Sequence, residues 1–326
     1  MVRVLDWNAT RFDPGSPDGH VESHFLKLND ACGERALWLK ATILQRLGET
    51  AVAEAWAVAF DRAHGHTAAK QVVPWASASF SRDALAIRVA EVEIGPMRTR
   101  GAVFTADARI EWDLAFAGSA APFAPLPERL YADDTGNSKI VSPHPDLRFD
   151  GHYCVGEGRV DVSGWRGMQG HNWGRRHTHL YGWMHCNVWD GVDDLVVEGI
   201  TARVKLGPVL SPPLTLVIAE HAGARHLFTL PGSLFRARGR IAPRAWEFRA
   251  ANASARISGS FAADTEDFVG LHYENPDRAM TYCLNSKIAR GEIRLEAAGR
   301  TIAAHTRAAA LEIGTRDPAH GVKMLA

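Results

Sequence analysis

Residues 36–44 read Ala36-Leu-Trp-Leu-Lys-Ala-Thr-Ile-Leu44, and they alternate. In an extended chain Leu37, Leu39, Ala41 and Ile43 fall on one face and Trp38, Lys40, Thr42 and Leu44 on the other. The alanines and leucines of Glu34–Leu47 would also suit a helix, but Trp38, Thr42 and Ile43 fit a pleat better, so the reading is a strand. Ala55-Trp-Ala-Val-Ala-Phe60 repeats the pattern. Trp56, Val58 and Phe60 share one side and alanines the other, which predicts a strand packed through its large residues.

Working outward, short alternating segments recur along the chain. They are Ala84–Glu93, Gly101–Ala117, Leu195–Leu206, Pro213–Glu220, Trp246–Ala251, Ala253–Phe261, Met280–Ile288 and Glu292–Leu295, with further pieces around Tyr153 and Val160. Gly118–Pro127 contains prolines that lack donors for a ladder and reads as an irregular crossing. The turn-rich Tyr131–Ser138 follows it, and the tail Gly314–Ala326 reads as loosely ordered. Strand-patterned segments lie on both sides of residues 160–175. The expectation is an all-β protein of two barrels or sandwiches, residues 1–165 and 166–326.

Composition narrows the function. The 326 residues carry 37 basic and 37 acidic side chains, a formal net charge of zero, which argues against holding a nucleic acid by bulk electrostatics. Cys32, Cys154, Cys186 and Cys283 are far apart, so neither a zinc ribbon nor a disulfide framework is suggested. Asp6 and Asn8 interrupt the start where a signal peptide needs an apolar stretch, and no apolar run approaches the ~18 residues of a membrane span. A cytoplasmic protein follows, with peripheral membrane contact left open by the basic cluster Arg236, Arg238, Arg240 and Arg244. No nucleotide fingerprint occurs, and no cofactor is expected.

The unusual entries are 10 Trp and 15 His. Four of each fall between Trp165 and Trp189: Trp165, Trp173, Trp183 and Trp189, with His171, His177, His179 and His185. If Leu180–Val188 is a strand, Tyr181, Trp183, His185 and Asn187 share one face. That face is too polar for a core and too aromatic for open water, which marks a pocket wall for a hydrophobic small molecule.

The run Gln169-Gly-His171-Asn-Trp173-Gly174, then Tyr181-Gly-Trp183 and Asp190-Gly191, resembles the lipocalin-like family of hydroxyneurosporene synthase (carotenoid 1,2-hydratase) and the AttH-type proteins. His24-Phe-Leu-Lys27, Ala36–Leu44 and Glu54-Ala-Trp-Ala57 are similar to its paired opening strands. The resemblance implies two lipocalin-like antiparallel β-barrels in tandem and a cavity for an isoprenoid- or polyketide-like ligand. In such a hydratase an acid protonates a carbon–carbon double bond and water captures the cation; related folds include fungal cyclases, so fold does not fix the reaction.

On this reading His171, Trp173 and Tyr181 are catalytic, with Gln169, Asn172, Trp183, His185 and Asn187 binding substrate. The acid departs from the family, because no Tyr-x-Asp can be placed downstream of His171-x-Trp173. Asp190, Asp193 and Asp194 read as a hairpin turn. Glu198, between apolar residues in Leu195-Val-Val-Glu-Gly-Ile200, is the candidate proton donor, since burial keeps a carboxyl protonated. Glu22, paired at period two with His24, is a second buried acid at the binding site. Two rival readings remain open: a non-catalytic carrier or sensor with the same cavity, and a zinc enzyme built on His171, His177, His179 and His185.

Overall fold

Period-two alternation becomes a pleat only when a neighbouring strand accepts it, and here nearly every alternating segment finds one. The structure, a computed structural model, describes residues 6–118, 120–132, 138–203, 205–206 and 209–326. The first sheet is built from β1 (His20–Asn29), β2 (Arg35–Gln45), β3 (Val52–Asp61), β4 (Thr67–Pro74), β5 (Ala78–Phe80), β6 (Ile87–Val89), β7 (Val92–Ile94), β8 (Arg98–Phe104), β9 (Arg109–Ala117), β10 (Lys139–Val155) and β11 (Gly158–Gly174). Its order is β4-β3-β2-β1-β11-β10-β9-β8-β7-β6-β5.

After a crossing at 175–179 come β12 (Leu180–Cys186), β13 (Leu195–Arg203), a small ribbon β14 (Lys205–Leu206) with β15 (Val209–Leu210), β16 (Leu214–His221) and β17 (Ala224–Phe228). They are followed by β18 (Ala237–Ala242), β19 (Ala245–Ala251), β20 (Ala255–Ala262), β21 (Val269–Glu274), β22 (Met280–Ala297) and β23 (Arg300–Thr315). The second sheet runs β17-β16-β13-β12-β23-β22-β20-β19-β18, with β21 added on β22. Two short α-helices, α1 (Arg129–Ala132) and α2 (Ser233–Arg236), and two 3-10 turns, Trp75–Ser77 and Thr265–Asp267, complete the elements among the described residues. The result is two nearly closed antiparallel lipocalin-like barrels. The division expected at 165/166 falls inside β11, which stays in the first sheet to Gly174.

Each barrel holds its own hydrophobic core. Leu26, Leu28, Leu37, Leu39, Trp112, Leu114 and Phe149 fill the first, and Met184, Val197, Trp246, Phe248, Phe261 and Leu311 the second. The small Ala53, Ala55 and Ala57 face the first interior, while Trp56, Val58 and Phe60 on the same strand face outward. They meet Trp183, Leu271, Tyr273, Cys283 and Ile288 of the second barrel. β1, β2 and β3 are therefore buried on both faces, one forming a barrel core and the other a joint between barrels.

The long hairpins β10–β11 and β22–β23 bend through register shifts. At one of them Gly151 (φ 136°) passes so close to the Asp113 carbonyl that a Cβ would clash. One strand lies outside the segments read from alternation, and one expectation is corrected. β23 carries no alternation signal because Ala303, Ala304 and Ala308–Ala310 favour a helix; Ala304 and Ala308–Ala310 are buried where the strand packs against its neighbours. The tail is also ordered: Val322 enters the second core, and His272 N–H donates to the Ala326 carbonyl at 2.7 Å.

Candidate functional site

The clearest cavity lies between the barrels rather than inside one, with a volume of about 210 Å³. β1 and β2 contribute Phe25, Trp38 and Lys40; β12, β13 and β16 contribute Tyr181, Trp183, Ile200 and Leu216; β21 and β23 contribute Tyr273 and Glu312. Asn172, Ile140, His177 and the exposed Ser138 also border it. It is smaller than the ~300–1,000 Å³ pockets of drug-sized ligands, and takes about ten to a dozen non-hydrogen atoms.

Glycines opposite the aromatic rings shape this space. Tyr181 pairs with Gly314 and Phe25 with Gly170, and a Cβ on those glycines would lie 1.9 Å and 2.1 Å from the rings. Each ring thus lies flat across the neighbouring strand. Gly314→Val is expected to push Tyr181 into the cavity, abolish ligand binding and cost about 1–3 kcal/mol by overpacking. Ligand titration and urea unfolding would check this; undiminished binding would refute the role of Gly314.

Glu198 sits one pleat repeat from Ile200 on the same face of β13, bonded to the cavity residue Trp183 but not itself among the residues that border the cavity. Its Oε1 accepts the Trp183 indole N–H at 3.0 Å, whereas its buried Oε2 has no partner within hydrogen-bonding geometry. Burial, only partly opposed by the nearby Ser142 hydroxyl and the Trp183 indole, pushes its pKa up to about 7. At neutral pH a large fraction of Glu198 therefore carries a proton.

Lys40 is the charged group on the opposite wall. Its Nζ lies 3.7 Å from the Tyr273 ring centroid, 5.4 Å from Trp56 and 5.7 Å from Trp38. Burial pulls its pKa down to about 8. Cation–π contacts are worth about 2 kcal/mol when desolvated, against an effective burial penalty of several kcal/mol per ion. Glu312 is occupied by Lys287 at 2.7 Å. His177 stacks on Tyr273, and burial lowers its pKa to about 3, so it is a neutral wall.

The structure divides the residues expected to form a single wall. Tyr181, Trp183 and Asn172 border the cavity. His185 and Asn187 share the outward face of their segment but stitch the barrels together: His185 Nε2 donates to the Pro145 carbonyl at 2.7 Å, and Asn187 Nδ2 donates to Asp146 and to the Gly167 carbonyl at 2.8 Å. His171, Trp173 and Gln169 alternate to the other face of β11. There they form a separate cluster with Glu22 and His24 under the N-terminal segment, where Gln169 Nε2 donates to Asn8 at 2.6 Å.

In that cluster Glu22 accepts the Arg11 and Phe12 backbone N–H groups at 2.8 Å each, His20 Nε2 at 2.9 Å and His171 Nε2 at 2.8 Å. Burial alone would raise its pKa, but the hydrogen bonds from His171 and His20 hold it well below the usual carboxylate range. Glu22 is a fixed anion and not a proton donor. His171 Nδ1 donates to the Trp7 carbonyl at 2.7 Å, and Trp173 packs against the His171 ring. The aromatic motif therefore secures the closure of the first barrel, on a face away from the cavity.

Glu22, His24 and His171 bring ligand-type atoms within 4.8 Å of one another, the composition of a two-histidine, one-carboxylate metal site. The His24 and His171 rings, however, stack at 3.9 Å and 15°, so their nitrogen lone pairs run parallel instead of converging. The proposed His171, His177, His179 and His185 zinc set is corrected: His177 and His179 lie in the crossing, not on a strand, and His171 and His185 have the separate partners given above.

Sequence reading overlooked Phe25, Trp38, Lys40, Tyr273 and Glu312. The signal for the first three was a segment apolar on both faces, which marks a strand buried on both sides. Tyr273 and Glu312 carried no local signal.

No protein-family model matches the chain. Over 215 residues it is 29% identical to the uncharacterised proteins Rv0493c (strain ATCC 25618 / H37Rv) and MT0513 (strain CDC 1551 / Oshkosh) of Mycobacterium tuberculosis. The match covers 64% of this chain and 62% of theirs, so it spans less than two thirds of those relatives' length. Among solved structures, an AttH-like protein from Nitrosomonas europaea superposes with a TM-score of 0.57 at 12% identity, covering 96% of this chain and 98% of that one. Kievitone hydratase from Nectria haematococca gives 0.53 at 10% identity, covering 93% and 91%. CghA with Sch210972 gives 0.58 at 12%, covering 95% and 97%. At these identities the likeness establishes the fold alone: two lipocalin-like barrels in one chain.

Proposed function

We propose that this protein binds an apolar small molecule, isoprenoid- or polyketide-like, between its barrels and catalyses acid-assisted hydration or cyclisation of a carbon–carbon double bond. The observation that carries this reading is Glu198: a buried carboxyl with a raised pKa, bonded to a pocket tryptophan and holding one oxygen unpartnered. Glu198 Oε2–H gives its proton to an alkene carbon, and the π electrons form the new C–H bond. The cation left on the adjacent carbon faces the Trp183 and Trp38 rings. Capture by water, which returns a proton to Glu198, is hydration; capture by a second double bond followed by proton loss is cyclisation. Membership of the hydroxyneurosporene synthase and AttH-type family is part of the same proposal, supported by the shared two-barrel fold and by one neighbour being named a hydratase. Incubation with a panel of ten- to twelve-carbon alkenes in oxygen-18-labelled water tests it. Gain of one labelled water marks hydration, and an isomer of unchanged mass marks cyclisation. Binding without conversion of any member would favour the carrier reading.

A membrane surface is the proposed source of so apolar a ligand. No helix among the described residues is long and apolar enough to cross a membrane. Phe235 is 81% exposed and Leu234 53%, beside a groove bordered by Arg236, Arg238, Arg249, Arg256 and Arg294. Apolar tips next to arginines suit an anionic lipid surface. Flotation with phosphatidylserine vesicles should recover the protein, and Phe235→Asp should weaken recovery about tenfold or more. Equal recovery of the two proteins would remove α2 from the contact.

A further inference from the structure

We infer that the ligand of the inter-barrel cavity carries an anionic oxygen, a carboxylate or an enolate, and that Lys40 binds it. The inference rests on reading that cavity as the ligand site, and it adds a chemical class to the ligand.

Lys40 is 4% exposed and borders the cavity, yet among the described residues its ammonium makes no hydrogen bond and no ion pair. The other charged groups of the joint are provided for. Lys287 meets Glu312 at 2.7 Å and Asn285 Oδ1 at 2.6 Å, and Lys27 donates to Asn29 Oδ1 at 3.0 Å. The carboxylates whose charge reaches Lys40 are Glu54 and Glu312, and both are engaged elsewhere. Glu54 holds Lys70 at 2.9 Å and the Trp56 indole at 3.1 Å.

The ring faces of Tyr273, Trp56 and Trp38 attract the cation, but none of its three N–H groups reaches a hydrogen-bond acceptor among the described residues. Among the described residues Lys40 has no carboxylate within ion-pair distance, so its charge is left without a counterion in contact. An uncharged oxygen would satisfy a hydrogen bond and leave that charge in place; an anion does both. The burial-lowered pKa of Lys40 is the signature of an ammonium lacking its counterion. Lys40 and the Glu198 partner Trp183 lie on opposite barrels. Anchoring the anionic end on the first barrel therefore turns the apolar body toward the acid on the second.

The test compares geranic acid with geraniol, two ten-carbon probes of the cavity's size that differ in charge, by titrating the intrinsic tryptophan fluorescence at pH 7. The acid should bind at least about tenfold more tightly than the alcohol. Lys40→Met, which keeps the volume and removes the charge, should abolish that preference, leave geraniol affinity within about twofold, and unfold at or above the wild-type temperature. Equal affinities of the unmutated protein for acid and alcohol overturn the inference while leaving the cavity reading in place; this comparison decides even if K40M does not fold. A preference for the acid that survives in a folded K40M protein also overturns it. Binding of neither probe overturns the cavity reading, and the inference with it.

Discussion

Glu198→Gln should lower turnover by about 10²–10⁴-fold, the range for loss of a positioned general acid, while ligand affinity changes by no more than a few-fold. The amide preserves the shape and can still accept the Trp183 N–H bond, but it has no acidic proton to give. The pH profile supplies a second check. Because burial raises the Glu198 pKa from its ordinary 4.5 to about 7, the active protonated form is full below that value and is lost as pH rises through it. Wild-type turnover should therefore fall above pH 7. The same shift makes folding progressively less favourable as pH rises from 4.5 to about 7, where the unfolded chain has released a proton that the folded one keeps, and the loss persists above that value. Glutamine should remove both dependences. Undiminished turnover in E198Q would eliminate Glu198 as the donor without touching the cavity.

The second large effect concerns stability. Glu22→Ala should destabilise the protein by about 3–5 kcal/mol, because it strands His171, His20 and two backbone N–H groups in a site closed to water. For a domain of this size that is a fall of roughly 6–20 °C in unfolding temperature. The depressed pKa of Glu22 stabilises the fold above the ordinary 4.5, and this contribution is lost as pH falls further. His24 acts in the same direction but earlier. Burial, reinforced by the neighbouring His171, holds it neutral, so stability begins to fall as pH drops below the ordinary imidazole value of 6.5, where only the unfolded chain takes up the proton. Urea unfolding of wild type and E22A from pH 8 down to pH 2.5 reads both effects. A loss below about 1 kcal/mol would show that the cluster is not a structural anchor.

Alternation alone specified the strands around Trp38, Trp56 and Trp183, because a two-residue period is a local property of the chain. It also placed Tyr181, Trp183, His185 and Asn187 on one face. What alternation does not contain is the partner of each face. The large side of Ala55–Phe60 packs against the second barrel while its alanines line the first, and His171 and Trp173 point away from Asn172, their neighbour at the cavity. Glu198 was found in sequence because an acid between apolar residues advertises its burial. Lys40, Tyr273 and Glu312 come from strands far apart in the chain, and nothing near any one of them announces the others. Sequence by itself therefore determined the all-β character and the candidate acid. Only the tertiary structure decided that the cavity lies between the barrels, because that surface exists only once both sheets have closed and their outer faces have met.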